Sequence, residues 1–576
     1  MTAIFGVENS LNGWSVSFAS PSQVLTATRL DEVLPLIEMA ERKAIDGAYV
    51  ALMLSYEAAP AFDESFKTHL PGSLPLAWAS IYADYSAFPP HKNSYSVSDW
   101  TPGVSRSEYG TNVEIIREHI AAGDTYQVNY SFPLFADFVG DSFLWYSDLC
   151  NAQGASFSAY LDLGRYQVLS ISPELFFERT GDRVRTKPMK GTVRRGRWKQ
   201  EDEQLAYWLQ NSEKNRAENV MIVDLLRNDL GRVAIPGSVK VPATFELERF
   251  ETLWQMTSTV EAKIDKQVSL AQLIRALFPC GSITGAPKIR TMELIKGLER
   301  FPRGAYTGTI GLIKPGGDCV FNVAIRTVVL DSETRKATIG VGGGVTYDST
   351  AESEYDECLL KSNFLKTRTA DFDLFESILL QEGQYFLLNR HLQRLQNSAE
   401  FFGFQFPQLK IEATLKRIAE KHAEGKWKLK VITTKHGAVE AEVTELANNP
   451  DQVYRVGLAK EPVNSANRLL FHKTTARDQY GRELDQRQDC DDVIFWNESG
   501  EITETTIANV VVSIEGELFT PPVESGLLAG IYRAQLLAEG VIKERAITIE
   551  ELRNAPELLL INSVRKWMKA TLVDNR

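Results

Sequence analysis

At residues 366–373 (KTRTADFD) a helical run ending near 365 gives way to a short polar segment, and a fresh strand–turn–strand–helix pattern starts at 375. A 576-residue chain broken in this way must bury two separate cores. The expected organisation is a first domain over 1–365, a linker over 366–374 and a second domain over 375–576. Runs rich in β-branched and aromatic residues recur at 168–171, 306–313, 321–329 and 337–345, with amphipathic helical stretches such as 107–122 and 203–233 between them. Mixed α and β with long strands predicts an α+β class, in which large sheets are covered by helices.

Several function classes are excluded early. No apolar run reaches the roughly 18 residues a membrane span needs. The opening MTAIFGVENSLNG meets an acid at Glu8 and lacks the pattern of a secretory signal. Cys150, Cys280, Cys319, Cys358 and Cys490 are scattered without a CxxC, which argues against a disulfide framework or zinc site and fits a reducing, cytoplasmic setting. With 63 basic and 75 acidic residues the formal charge is −12, and the longest basic stretch, RRGR at 194–197, is too short to seat nucleic acid or an anionic membrane. An acidic protein that binds an anion must concentrate cations locally, so lysines and arginines in apolar surroundings carry the search.

In the first domain, Lys190 lies in TKPMKGT (186–192), after Pro188, on what should be a tight, partly buried turn. Desolvation lowers a buried lysine from its reference pKa of ~10.4 and makes it an amine nucleophile; a lysine capping a turn is the plain alternative. The segment FPCGSITGAPK (278–288) lacks the G-x-x-x-x-G-K-[ST] spacing of a phosphate loop, but its turn into a helix can offer N–H groups to a carboxylate. Glu218 sits in the helical NRAENVMIVDLLRND, and Glu354 and Glu357 share one helix face with Lys361. Such stacked carboxylates are either a solvated acidic face or ligands to Mg²⁺, which takes one or two carboxylates plus substrate oxygens. Arg326, in the apolar run NVAIRT, calls for a carboxylate from substrate or protein. The GVGGG run at 340–344 lets a backbone approach a ligand closely.

Together FPCGSITGAPK, AENVMIVDLLRNDLGR, NVAIRT and GGGVTYDSTAESEYDE resemble the chorismate-utilising enzymes over most of residues 100–365. The lysine of PMKGT resembles aminodeoxychorismate synthase component I, where anthranilate synthases carry alanine. The resemblance implies that Lys190 attacks C2 of chorismate and expels the C4 hydroxyl, assisted by Glu174 of SPE as the acid–base carboxylate. Ammonia then adds at C4 and releases the lysine, giving 4-amino-4-deoxychorismate. By the same resemblance Mg²⁺ sits on Glu218 and Glu357 with Glu354 nearby, and Thr284, Tyr306, Arg326, Gly342, Gly343 and Lys361 hold the substrate carboxylates. One departure stands out: QMTST at 255–259 places Gln255 where many relatives have histidine, and an amide cannot act as a general base. No cysteine lies in a nucleophile elbow, so ammonia is expected free or from a separate glutaminase subunit.

In the second domain, 375–404 reads as a hairpin turned at 382–383 followed by an amphipathic helix from about 388 that contains Arg394, on its own a surface charge. Lys473 closes the apolar stretch 469–471, taken as a strand, and Glu504 opens the run ITETTIANVVV with Thr505 and Thr506 behind it. GLLAGIYR (526–533) is a glycine turn entering a helix. A lysine for a Schiff base, an acid for a pyridinium nitrogen and a helix N-terminus for a phosphate are what pyridoxal phosphate (PLP) requires. Their order resembles the fold-type IV PLP enzymes, built of two α/β lobes, over nearly all of 375–576. The resemblance implies that Lys473 holds the cofactor and shuttles protons, Glu504 pairs with the ring nitrogen, and Arg394, Thr505, Thr506 and the Ile531 and Tyr532 amides surround the phosphate. Tyr532 replaces the usual threonine, so only its backbone donor is carried over. A homodimer through this domain is compatible with the resemblance. Fusion to a synthase favours an aminodeoxychorismate lyase that releases pyruvate and 4-aminobenzoate. An amino-acid aminotransferase, an anthranilate synthase-like first domain, and decay of one domain into a binding module are the alternatives.

Overall fold

The computed structural model describes residues 1–6, 15–90, 94–154, 156–365, 372–447 and 452–573. It divides into two compact units: Met1–Arg194 with Ala206–Thr369, and Arg195–Leu205 with Ala370–Arg576. Of the expected linker, 366–371 lie outside the described residues. One departure from the sequence boundary is plain: 195–205, read as first-domain chain, belongs to the second unit.

The first unit contains two ten-stranded antiparallel sheets among the described residues. Their inner faces meet through Phe5, Phe18, Ala51, Met53, Leu161, Val168, Ile310 and Leu312. The outer faces lie under helices, one through Val50, Leu52 and Leu54, the other through Leu169, Ile171, Val328 and Ile339. Strand Tyr49–Leu54 therefore buries alternate residues in different cores, which is why YVALML reads as a continuous apolar run. Residues 1–100 complete these sheets: Thr2–Phe5 pairs with Phe157–Asp162, and Tyr49–Leu54 with Thr309–Ile313. The expected helices stand at Arg106–Ala121, Glu213–Gly231, Lys288–Leu298 and Ala351–Lys361. The stretch read as one helix from 203 is two, Lys199–Asn211 and Glu213–Gly231, with Ser212 accepting from the Asn215 N–H as an N-cap.

The second unit has a four-stranded sheet and an eight-stranded mixed sheet. In the first, Leu374–Gln381 turns at Glu382 and Gly383, both at positive φ, into Gln384–Tyr385, as the hairpin pattern predicts. Helix Leu388–Phe402 follows and packs Leu395, Ala399 and Phe402 on that sheet. In the second sheet Val453–Leu458 pairs in parallel with both Asp492–Trp496 and Lys566–Leu572.

Two expectations about local structure are corrected here. Residues 469–471 are part of the 3-10 turn Arg468–Phe471, not a strand, and Lys473 follows it, its carbonyl accepting from the Phe375 N–H at 3.0 Å. The run from Ile502 to Val512 is two strands, Ile502–Thr505 and Asn509–Ile514, because the Thr505 hydroxyl both accepts from the Ala508 N–H and donates to its carbonyl, closing a turn.

Candidate active sites

In the first unit the sites converge where two edge regions meet. Strand Met189–Arg194 ends one sheet, and Lys190 lies in it rather than on a turn. The pairing with Leu253–Lys263 shifts register between Met189 and Thr192, with Gly191 at φ +93°. Gln255 holds this bulge: its amide donates to the Gly191 carbonyl at 3.0 Å and accepts from the Thr192 hydroxyl at 2.9 Å. Burial of the Lys190 amine lowers it from the usual lysine range, aided by Lys361 and opposed by Glu218, Glu174 and Glu357. Glu174 is buried, which pushes its carboxyl up to about 7, and Ser282 donates to its Oε1 at 2.7 Å. Burial thus favours the neutral form of each group, and the two act on one another electrostatically.

The glycine run crosses this site on strand Lys336–Val345. Lys361 donates to the Gly342 carbonyl at 3.0 Å and pairs with Glu357 at 2.8 Å. A Cβ on Gly343 would stand 2.9 Å from Glu354 Oε2, and one on Gly344 would stand 2.1 Å from Gln127 Nε2 and 3.1 Å from Lys190 Nζ. Both side-chain atoms of the fully buried Gln127 have no hydrogen-bond partner. Arg326 sits in the break between Cys319–Val323 and Thr327–Asp331 at φ +49°, so the single strand read over 321–329 is corrected to two. Its guanidinium donates to the neutral Gln153 at 2.6 Å, no carboxylate pairs with it among the described residues, and burial lowers it to about 10. Thr284 spends its hydroxyl on the Cys280 carbonyl at 3.1 Å, and the buried Tyr306 hydroxyl is pushed above its ordinary range. Among the described residues no group of three or more His, Cys, Asp or Glu could hold a metal ion. Glu354 accepts from Ser349, and Glu357 is paired with Lys361, so Glu218, Glu354 and Glu357 are not a preassembled cluster.

In the second unit a cleft of about 280 Å³ is lined by Lys473, Glu504, Thr505, Thr506, Arg394 and Ile531. Burial lowers the Lys473 amine to about 7, with Arg394 and Arg477 adding to the effect, and raises the Glu504 carboxyl to about 7. Glu504 accepts from the Tyr480 hydroxyl at 2.8 Å. Arg394 is no surface charge: Glu376, itself buried, takes it through Nε at 2.8 Å and Nη2 at 2.7 Å, while Nη1 donates to the Ala529 carbonyl. His391 Nδ1 also meets Glu376, at 2.7 Å, leaving a buried Nε2 without a partner in a side chain that lines the cleft. Gly530 caps helix Ile531–Ala538, and a Cβ there would collide with Asn509 Oδ1. The Tyr532 side chain packs on Phe386 and Trp567. An orphaned imidazole nitrogen, a helix N-terminus that only glycine fits, and an acid opposite a lysine suit a phosphorylated pyridine cofactor.

Residues 87–367 match the family model of chorismate binding enzyme, and residues 373–573 match that of amino-transferase class IV. The two units thus match two different family models, chorismate binding enzyme in the first and amino-transferase class IV in the second. It is 42% identical over 276 residues to aminodeoxychorismate synthase component 1 of Escherichia coli (strain K12), an alignment covering 48% of this chain and 60% of that protein. It is 38% identical over 293 residues to an anthranilate synthase component 1 of Haloarcula marismortui, covering 51% and 59%. The chain thus spans about 60% of the length of these curated relatives. Among solved structures, anthranilate synthase component I from Streptococcus pneumoniae TIGR4 superposes with a TM-score of 0.53 at 25% identity, covering 64% of this chain and 90% of that one.

Sequence reasoning missed Ser282 and Gln127 in the chorismate-binding domain and Glu376 and His391 in the class IV domain. Ser282 was within reach, since it lies in FPCGSITGAPK. Gln127 opens a strand and Glu376 sits inside one, each with other polar residues close by, so neither stood out in the local pattern.

Proposed function

We propose that the chain is a bifunctional 4-aminobenzoate synthase. Its chorismate-binding domain aminates chorismate to 4-amino-4-deoxychorismate, and its class IV domain then eliminates pyruvate from that intermediate. The observation that supports the reading is that Lys190, presented on its strand bulge beside Gly344, and the buried Glu174 act on one another electrostatically in one site. The neutral Lys190 amine attacks C2 as the ring double bond shifts and the C4 hydroxyl leaves, and Glu174 supplies the proton that departs with it as water. Ammonia adds at C4, the double bond shifts back, and Lys190 leaves with its electron pair. Gln255, bound to the Gly191 carbonyl and the Thr192 hydroxyl, acts as a support of the Lys190 bulge and not as a base. Thr284, Tyr306, Arg326, Gly342, Gly343 and Lys361 line the carboxylate positions of this reading; Arg326 is the strongest of them, because its buried charge has no protein carboxylate. Glu218 and Glu357, both acting on the Lys190 amine, are the two carboxylates that would hold Mg²⁺ together with substrate oxygens, where the ion would neutralise substrate negative charge.

Burial raises the thiols of Cys150, Cys280 and Cys319 to about 12 and of Cys358 to about 11, and it raises Cys490 as well. None is an activated nucleophile, which supports ammonia supplied by a separate glutaminase subunit. In the class IV domain PLP, when bound, supplies an electron sink. Arg394, the Thr506 backbone and the Gly530–Ile531 helix start would hold its phosphate, Glu504 its ring nitrogen, and Lys473 would take up and deliver the C4 proton. The aminotransferase reading uses the same residues; the lyase is favoured because its substrate is the product of the preceding domain.

Chromatographic product analysis with mass and fluorescence detection, which separates the isomeric aminobenzoates, tests the proposal with chorismate, ammonium, Mg²⁺ and PLP. The expected products are 4-aminobenzoate and pyruvate. Accumulated aminodeoxychorismate would overturn the lyase assignment, and 2-aminobenzoate would overturn the role of Lys190.

A further inference from the structure

The cleft of the class IV domain carries more positive charge than its protein partners and the proposed cofactor use. Arg394 is matched by Glu376, and Glu504 faces Lys473. Arg477, which donates to the Thr506 carbonyl at 2.7 Å, also lines the cleft, and Lys428, Lys430 and Arg565 stand beyond it. Lys428 and Lys430 stand two apart on strand Lys426–Thr433, whose intervening Leu429 points into the core, so both amines share the cleft face. Lys430 Nζ lies 5.4 Å from the centre of the Phe375 ring and Lys473 Nζ lies 4.8 Å from it, so a single ring links the reacting lysine to this group. The nearest carboxylate to Lys430 is Glu442, at 3.7 Å and largely exposed; among the described residues none pairs with Lys428 or Arg565. Arg565 comes from the turn between Leu558–Asn562 and Lys566–Leu572, so cations from both sheets of the unit converge. Burial lowers the Lys428 amine, Arg565 and Lys430 add to that effect, and Glu442 opposes it, so the three cations repel one another with one exposed carboxylate beside them. Like charges gathered at a cleft without anions are stabilised when an anionic ligand enters.

We propose that Lys428, Lys430 and Arg565 form a rim that binds a substrate carrying two carboxylates, so that this domain selects a dicarboxylate amine over an amino acid with an apolar side chain. The proposal rests on the PLP-site reading above and adds its substrate class. Aminodeoxychorismate, with two carboxylates, belongs to that class.

The test uses the full chain reconstituted with PLP. With aminodeoxychorismate as substrate, Lys428→Met and Arg565→Met are expected to raise KM about tenfold or more with a much smaller change in kcat, and Lys428→Arg to restore most of the loss. Benzene-1,3-dicarboxylate and benzoate serve as separate probes, followed by tryptophan fluorescence. The dicarboxylate is expected to bind at least about tenfold more tightly in the unmodified chain, and the preference to vanish in Lys428→Met/Arg565→Met. If aminodeoxychorismate is not turned over but the rim-dependent preference holds, the lyase reading fails and the rim stands. If KM is unchanged in the variants and benzoate binds as well as the dicarboxylate, the rim is overturned whatever the enzyme does.

Discussion

Glu174 owes its chemistry to burial: a carboxyl raised to about 7 is still an acid at neutral pH, when an exposed glutamate would have surrendered its proton. In the proposed amination the functional form is the protonated one, so amination at fixed free ammonia should fall as pH rises through about 7. Glu174→Gln should lower kcat by about 10²–10⁴-fold and erase that alkaline limb; an unchanged limb in the variant would assign it to another group. Arg326 makes the opposite kind of statement. A buried guanidinium held by the neutral Gln153 costs the apo protein stability. Arg326→Met should therefore raise KM for chorismate about tenfold or more while thermal stability stays level or increases. A clear drop in melting temperature would show that the charge is structural. Glu376 is a third case: despite burial, Arg394 and His391 hold it down to about 2. Its contribution to stability is present above the unfolded glutamate value near 4.5 and is lost as pH falls through that range toward 2. Glu376→Gln should loosen Arg394 and weaken PLP retention, measured by cofactor loss on dialysis.

At the scale of elements, the glycine-bearing strand Lys336–Val345 decides the geometry of the first site. Gly344→Ala would drive a methyl into Gln127 Nε2 and beside Lys190 Nζ. The account predicts loss of amination with an intact second reaction on supplied aminodeoxychorismate, each followed by its own product. This strand was legible in the sequence because glycines interrupt an otherwise β-branched run, and the helices bearing Glu218 and Glu357 were legible from their periodicity. The breaks were not. Phe321–Val329 and Ile502–Val512 read as single strands because apolar residues fill both sides of each break, while the bend at Arg326 and the turn at Thr505 arise from a positive φ and from side-chain hydrogen bonds. Lys190 was found by its neighbours in sequence, yet the strand bulge that presents it depends on Gln255, which is distant in the chain. Contacts of that kind leave no local pattern. Arg394 was underrated for the same reason, since its partner Glu376 lies on the preceding strand, among apolar residues.

For the molecule as a whole, the chain's path matters as much as its two domains. Directly after the strand of Lys190, residues Arg195–Leu205 pack into the second unit. There Arg195 and Asp202 pair at 2.7 Å, both buried, and Arg195 lies over the Phe401 ring. The Arg197 carbonyl meets His472 Nε2 at 3.2 Å, next to Lys473, and burial lowers His472 to about 3, so the neutral ring donates there and accepts from Ser398. This segment is part of the second unit's fold. Asp202→Ala, which removes the carboxylate paired with a buried guanidinium, should cost about 3–5 kcal/mol and lower the melting transition of that unit by roughly 10 °C. A calorimetric trace unchanged from the parent would show that the segment merely rests on the surface.

The central claim is that one chain carries two lysine-dependent reactions in series, and two single variants test it most directly. Lys473→Ala, given chorismate, ammonium and Mg²⁺, should accumulate aminodeoxychorismate and form no 4-aminobenzoate. Lys190→Ala should form nothing from chorismate yet convert supplied aminodeoxychorismate to 4-aminobenzoate and pyruvate at the unmodified rate. Loss of both activities in either folded variant, or 4-aminobenzoate from the Lys473 variant, would contradict the account.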